Sequence, residues 1–135
     1  MLFRSTMIKP NELRVGNKLH YFIGEEGVEW EVTTVDWQDI KWCSEDEEGF
    51  NKGHRPIRLT TEWLINFGYT KRESSVCNHW WNGLNNITHD WLVDITEMHD
   101  NGQFFYRNAK HVIKHVHQLQ NLYFSLTGEE LTFNE

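Results

Sequence analysis

From His111 to Leu131 the chain carries one amphipathic helical pattern closed by a glycine. Val112, Val116, Leu119, Tyr123 and Leu126 recur at the three- and four-residue spacing that gathers an apolar stripe on one side of a helix. Gly128 stands where a left-handed residue can end it. A stripe of this kind must be covered, so the rest of the chain has to supply an apolar surface for it to lie on. Gln120 falls inside the same arc. A buried amide there must be hydrogen-bonded or cost about 1–3 kcal/mol, so Gln120 is expected to satisfy nearby backbone.

The surface comes from short strands. Lys18 to Ile23 alternates, with Leu19, Tyr21 and Ile23 on one face, and Val28 to Val35 follows after Gly24-Glu25-Glu26-Gly27 with Val28, Trp30 and Val32 facing inward. Period two across a glycine-bounded turn is a hairpin signal. Asp36 to Asp39 is expected to turn the chain into a third strand, Asp39 to Cys43, through Ile40 and Trp42. Ser44 to Gly49 reads as a mobile acidic loop, and Pro56 to Leu59 as an edge strand, where a proline is tolerated. Strands this short with tight turns suggest a small curled sheet similar to SH3-type barrels. Thr60 to Phe67 reads as a helix capped by Thr60 and stopped by Gly68, with Trp63, Leu64 and Phe67 on one face. Beyond it lies a meander: Tyr69 to Glu73, Asn78 to Trp81, an Asn82-Gly83 hairpin turn into Leu84 to Ile87, Trp91 to Met98, a turn at Asp100-Asn101-Gly102, and Gln103 to Arg107. The fold class expected is α+β, with short antiparallel strands and two helices, the C-terminal one packed on the sheet.

At 135 residues the chain can bury a core as a single domain, residues 1–135. A division into a barrel-like sheet (8–59) and a helix–meander–helix unit (60–135) is the alternative. Seven Trp and eight Phe bury large areas each, and some can instead serve as contact anchors. The net charge of -7 argues against a generalised attraction to DNA or RNA, which needs Lys and Arg to displace phosphate counterions. No window reaches the run of about 18 apolar residues that spans a bilayer, so no membrane partner is expected, and the expected location is the cytoplasm. Met7 is a second possible start, which would make residues 1–6 a leader.

The residues that could carry chemistry are few. His111 and His115, four apart on the expected helix, have a spacing that can hold zinc, but no glutamate lies between them and no third ligand follows. Cys43 and Cys77 stand at strand ends without a recognisable His–Cys or Ser–His–Asp order, and no glycine-rich phosphate loop is present. The expectation is therefore no catalytic residue, no cofactor and no metal. The candidates for binding a partner are the acidic run Glu45, Asp46, Glu47 and Glu48, which can mimic phosphates in a basic groove, and the hairpin residues His79, Trp80 and Trp81. Adjacent residues on a strand point to opposite faces, so one of the two tryptophans can be core while the other is exposed.

Three segments carry a resemblance. Glu12-Leu13-Arg14-Val15-Gly16-Asn17 resembles a Glu-Leu-Arg-(Ile/Val)-Gly-Asn opening. Pro56-Ile57-Arg58-Leu59-Thr60-Thr61-Glu62-Trp63-Leu64 with Phe67-Gly68-Tyr69 resembles a Pro-Ile-x-Leu-Thr-x-Glu-Trp-Leu segment and the Phe-Gly-aromatic that follows. Val116-His117-Gln118-Leu119-Gln120-Asn121-Leu122-Tyr123-Phe124 through Leu126-Thr127-Gly128-Glu129-Glu130-Leu131 resembles the closing signature. All three are similar to small proteins of Bacteroidota phages and prophages, a family without catalytic residues to transfer. The resemblance implies a mobile-element habitat. Joined to small size and acidic charge, it gives the expected function: a non-enzymatic phage or prophage accessory protein that binds a host protein, in its sharpest form an anti-CRISPR type of inhibitor of a defence nuclease or of a nuclease–RNA complex. Two other classes stay open. One is a nucleic-acid-binding module using Trp30, Trp37 or Trp42 with Lys9, Arg14, Lys18, Lys41, Lys52, Arg55 and Arg58. The other is a structural or assembly protein of the phage particle.

Overall fold

The computed structural model describes residues 7–24, 29–82, 93–106 and 111–133. Its contacts divide the chain into two compact units, Met1–Ile57 and Arg58–Glu135. The leader at residues 1–6 and the expected strand from Leu84 to Ile87 fall outside the described residues, as do most of the turns expected to open on Gly24 and Asn82.

In the first unit β1 (Lys18–Phe22) pairs antiparallel with β2 (Trp30–Thr34), Lys18 opposite Thr34 and Phe22 opposite Trp30. Two helices follow, α1 (Trp37–Glu45) and α2 (Glu47–Gly53), and then β3 (His54–Arg55) returns to the free edge of β1. The sheet has the order β2-β1-β3 and does not close into a barrel. Its core is Ile8, Leu19, Val35, Cys43 and Phe50, with Leu13 and Ile40 packed against it. Asn51 ties this core to the chain start: Ile8 N–H donates to its Oδ1 at 2.8 Å, and its Nδ2 donates to Ile8 O at 2.9 Å and Glu47 O at 2.8 Å.

The expected third strand is thus a helix. Asp36 and Asp39 cap it reciprocally, each side chain accepting the other's backbone N–H at 3.0 Å, the arrangement of a capping box with Asp in place of Glu. The inward residues of α1 are Ile40 and Cys43. They are three apart, a helical interval, whereas the strand reading paired Ile40 with Trp42. The acidic stretch is no loop either, since Glu47 and Glu48 open α2. The inward assignment of β2 is also reversed. Val32 is 49% exposed, and Tyr21 and Ile23 are largely exposed beside a fully buried Leu19. The return strand falls at residues 54–55, while Arg58 forms an isolated bridge to His115.

In the second unit α3 (Thr61–Asn66) starts at Thr60, whose Oγ1 accepts Trp63 N–H, and it buries Leu64. Phe67 follows as a buried C-cap, and Trp63 meets Phe133 at 4.7 Å between ring centroids. Four strands of the expected meander are present: β4 (Thr70–Glu73), β5 (Cys77–Trp81), β6 (Ile95–Met98) and β7 (Phe104–Tyr106), each antiparallel to the next. β5 has β4 on one edge and β6 on the other, so the hairpin expected from the Asn82-Gly83 turn is not the pairing that β5 makes. The inner face carries Trp80 opposite Ile95, with Phe104 beside them, all buried.

The C-terminal helix α4 covers Val116–Thr127 and buries Val116, His117, Leu119, Gln120 and Tyr123. Gly128 ends it at φ +77°, its N–H bonding Phe124 O at 2.8 Å. The helix is shorter than its pattern. Val112 bridges Phe105, Ile113 N–H donates to Phe104 O at 2.8 Å, and Lys114 O accepts Leu59 N–H. Residues 111–115 are therefore spent on strand pairing, and Gln118 Oε1 caps the new start by accepting the N–H of Lys114 and His115. Val112 is only half-buried and Leu126 is 39% exposed, so neither closes the core as the wheel predicts. The described chain contains four helices where two were expected, and none of them is long and apolar enough to cross a membrane.

Candidate protein-contact site

The expected contact residues separate into two places, one in each unit. In the first, Asp46 is the hinge of an acidic corner. Its N–H closes α1 onto Trp42 O at 2.8 Å, and its Oδ1 opens α2 by accepting Gly49 N–H at 3.0 Å. One residue terminates one helix and caps the next, so the corner is fixed by hydrogen bonds at both ends. Glu45 and Glu48 are exposed on it. Glu47 is not available in the same way: its carboxylate pairs with Lys9 Nζ at 2.9 Å across the unit, an interaction that holds the lysine's pKa above its ordinary value. Lys41 approaches Glu45 only at 4.0 Å, a solvent-exposed contact of little energetic weight.

Of the two tryptophans on α1, Trp42 is the one at this corner. Trp42 lies three and four residues before Glu45 and Asp46, the spacing that shares a helix face. It is 40% exposed while its ring edge packs on Phe50 and His54, both at 5.5 Å. Trp37, at the helix start, is 64% exposed. Sequence reasoning had placed both on or beside a strand as base-stacking candidates. The helical period of Ile40 and Cys43 and the Asp36–Asp39 pair are the signals that could have found the helix.

Gly49 is required by this geometry. A Cβ at that position would collide with Asp46 Oδ2. Gly49→Ala is expected to break the cap and to cost about 1–2 kcal/mol in urea unfolding. An unchanged midpoint would mean that the cap does not hold the corner.

In the second unit the hairpin residues point to opposite sides of β5. Trp80 is buried, and its Nε1 donates to Glu97 Oε1 at 2.9 Å, so it is a core residue and not a surface anchor. Trp81 and the exposed His79 are on the outer face. Trp81 is half-buried, with the Arg72 guanidinium 5.4 Å from its ring centroid. His79 Nε2 lies 3.5 Å from Cys77 Sγ, a pair that skipping one residue on a strand brings together and that sequence order did not suggest. On the inner side an open cavity of about 410 Å³ is lined by Thr61, Ile65, Tyr69, Lys71, Trp80 and Glu97, among others. The Glu97 carboxylate that reaches it is already engaged by Trp80 and by Asn78 Nδ2 at 3.2 Å. Tyr69 donates its hydroxyl to Val93 O at 3.1 Å, and burial holds its pKa well above the usual phenol range.

His111 and His115 do not share a helix, because α4 begins after them. Among the described residues no three His, Cys, Asp or Glu side chains converge as a metal site. The two thiols differ. Cys43 is fully buried, its Sγ 3.7 Å from Ile8 O, and burial pushes its pKa up to about 11, with Glu47 and Glu12 adding to the shift. Cys77 is half-exposed. In the native protein at pH 8, Ellman's reagent is expected to titrate Cys77 quickly and Cys43 only after denaturation. Two fast thiols would refute this burial. Because the folded state raises the Cys43 pKa from 9.0 to about 11, its share of stability is complete below pH 9 and lost as pH rises to 11.

No protein-family model, no curated protein and no solved structure matches the chain.

Proposed function

We propose that this is a non-enzymatic binding protein, a phage or prophage accessory factor that docks the acidic corner of its first unit into a basic groove of a host protein. The sharpest form of the reading is an inhibitor of a defence nuclease. The observation that carries it is the doubly capped corner at Asp46. Carboxylates held in fixed positions lose less conformational entropy on binding than carboxylates on a mobile loop. The exposed part of Trp42 beside them supplies an aromatic anchor of the kind that dominates interface energetics. Acidic charge speeds encounter with a cationic partner and suppresses non-specific attraction to nucleic acid. The mobile-element habitat rests on the resemblance of the three sequence segments.

The test is an interference assay in a Bacteroidota host with an active nuclease-based defence, expressing the full chain or its E45K/E48K variant, which leaves the Asp46 cap in place. The wild-type chain should restore plaque formation and recover the nuclease as a stoichiometric partner, and the charge-reversed variant should do neither. Trp42→Ala should weaken capture by at least tenfold. Unimpaired interference, with no nuclease captured, would end this reading. Trp80→Ala is not a surface variant and is unsuited to the test.

A further inference from the structure

The three-stranded sheet of the first unit has an outer face that runs against the charge of the chain. Opposed residues of antiparallel strands share a face. The pairings Lys18–Thr34, His20–Val32 and Phe22–Trp30, with Arg55 opposite His20, therefore set these seven side chains on one side of the sheet. The buried Leu19, with Tyr21 and His54, is on the other side. Glu31 pairs with Tyr21 and alternates onto that inner side. In a protein of net charge -7, no carboxylate among the described strand residues shares the outer face.

Its aromatic groups are grouped and accessible. Phe22 and Trp30 stand 5.3 Å apart between centroids at 56°, and the Arg55 guanidinium lies 3.9 Å from the Trp30 ring centroid. Phe22 is 37% exposed. At the far end Lys18 Nζ donates to Thr34 Oγ1 at 2.8 Å. Rings on an open sheet face, bordered by cations and with no carboxylate on it among the described strand residues, match the two needs of an unpaired nucleotide strand: π-faces for the bases and positive charge for the phosphates. The charge complementarity favours a polyanion over an apolar peptide.

We propose that this sheet face binds single-stranded nucleic acid, with bases stacking on Phe22 and on the Trp30–Arg55 pair and the backbone running along Arg55 and Lys18. This inference does not rest on the acidic corner, which presents the opposite charge on different elements. Both surfaces together would suit a partner that is a protein–nucleic acid complex.

The experiment is fluorescence anisotropy of the full chain with labelled mixed-sequence 12-mers: single-stranded RNA, single-stranded DNA and the corresponding duplex, over a salt series. Single strands should bind at least tenfold more tightly than duplex, and the RNA and DNA arms identify the sugar preferred. Two phosphate contacts predict a log–log salt slope of about -1.4. Arg55→Glu and Trp30→Ala should each weaken binding at least tenfold, with Trp30→Phe retaining most of it. Val32→Lys adds a cation at an exposed central position and should tighten binding and steepen the slope by about 0.7, a gain that misfolding cannot imitate. The E45K/E48K variant should keep these face-specific effects, which separates this test from that of the proposed function. No single-strand binding at low salt, or binding indifferent to Arg55→Glu and Val32→Lys, overturns the proposal. Loss of host-protein capture by Arg55→Glu without oligonucleotide binding would make the face a protein contact and would also overturn it.

Discussion

Trp80→Ala is expected to cost about 3–5 kcal/mol and to lower the urea midpoint by roughly 2 M. Trp80 is 2% exposed at the centre of the four-stranded sheet, opposite Ile95, and among the described residues of the meander no other buries a side chain of that size. Truncation leaves a cavity that neighbouring strands can only partly fill. It also removes the Nε1 donor from Glu97, which among the described residues then keeps Asn78 at 3.2 Å as its side-chain donor. Trp81→Ala, on the opposite face of the same strand, is expected to cost under half as much. Comparable losses in the two variants would contradict the facing of β5. The measurement is urea unfolding followed by near-ultraviolet circular dichroism.

Phe50→Ala is expected to have the second large effect, also about 3–5 kcal/mol, confined to the first unit. Phe50 is fully buried, stacked on His54 at 3.9 Å and 3° and met edge-on by Trp42 at 5.5 Å. His54 also bonds Phe50 O through Nδ1 at 3.0 Å, and His54 pairs with Tyr21 across β1 and β3. Removing the ring therefore loosens α2, β3 and the inner face of the sheet together. Phe50→Leu keeps most of the volume and is expected to lose less than half as much. Hydrogen exchange should show faster exchange at amides of β1 and β3 in Phe50→Ala. Unchanged protection there would show that the ring does not hold those strands.

These two residues mark how far a local reading reaches. The strands β4 to β7 of the second unit were legible because their signals lie within a few residues, as Asp100-Asn101-Gly102 does between β6 and β7, whereas Asn82-Gly83 points to a hairpin that is not the pairing of β5, which lies between β4 and β6. Thr60 and Gly68 bracket α3 in the same way, and Gly128 ends α4. The first unit was legible only in its opening hairpin. Ile40, Trp42 and Cys43 fit period two and period three equally well over so short a run, and the Asp36–Asp39 cap decides between them only when its hydrogen bonds are formed. The candidate corner was identified by charge, but its rigidity was not, because Asp46 caps two helices only if both exist.

The sequence alone establishes the fold class, the strands β4 to β7, the capped helix before them and the glycine that stops the last helix. All of these follow from interactions between residues close along the chain. Only the tertiary structure decided where α4 begins. Residues 111–115 have helical periodicity, yet the free edges at Phe104, Phe105 and Arg58 offer backbone partners that a helix would forgo. It alone decided which side of each sheet is buried, because a strand's two faces are told apart by what covers them and not by the strand. Hence Trp80, a candidate anchor in the sequence, is core, while the Trp30 side of the first sheet, assigned inward by its alternation, carries Phe22, Val32 and Arg55 outward.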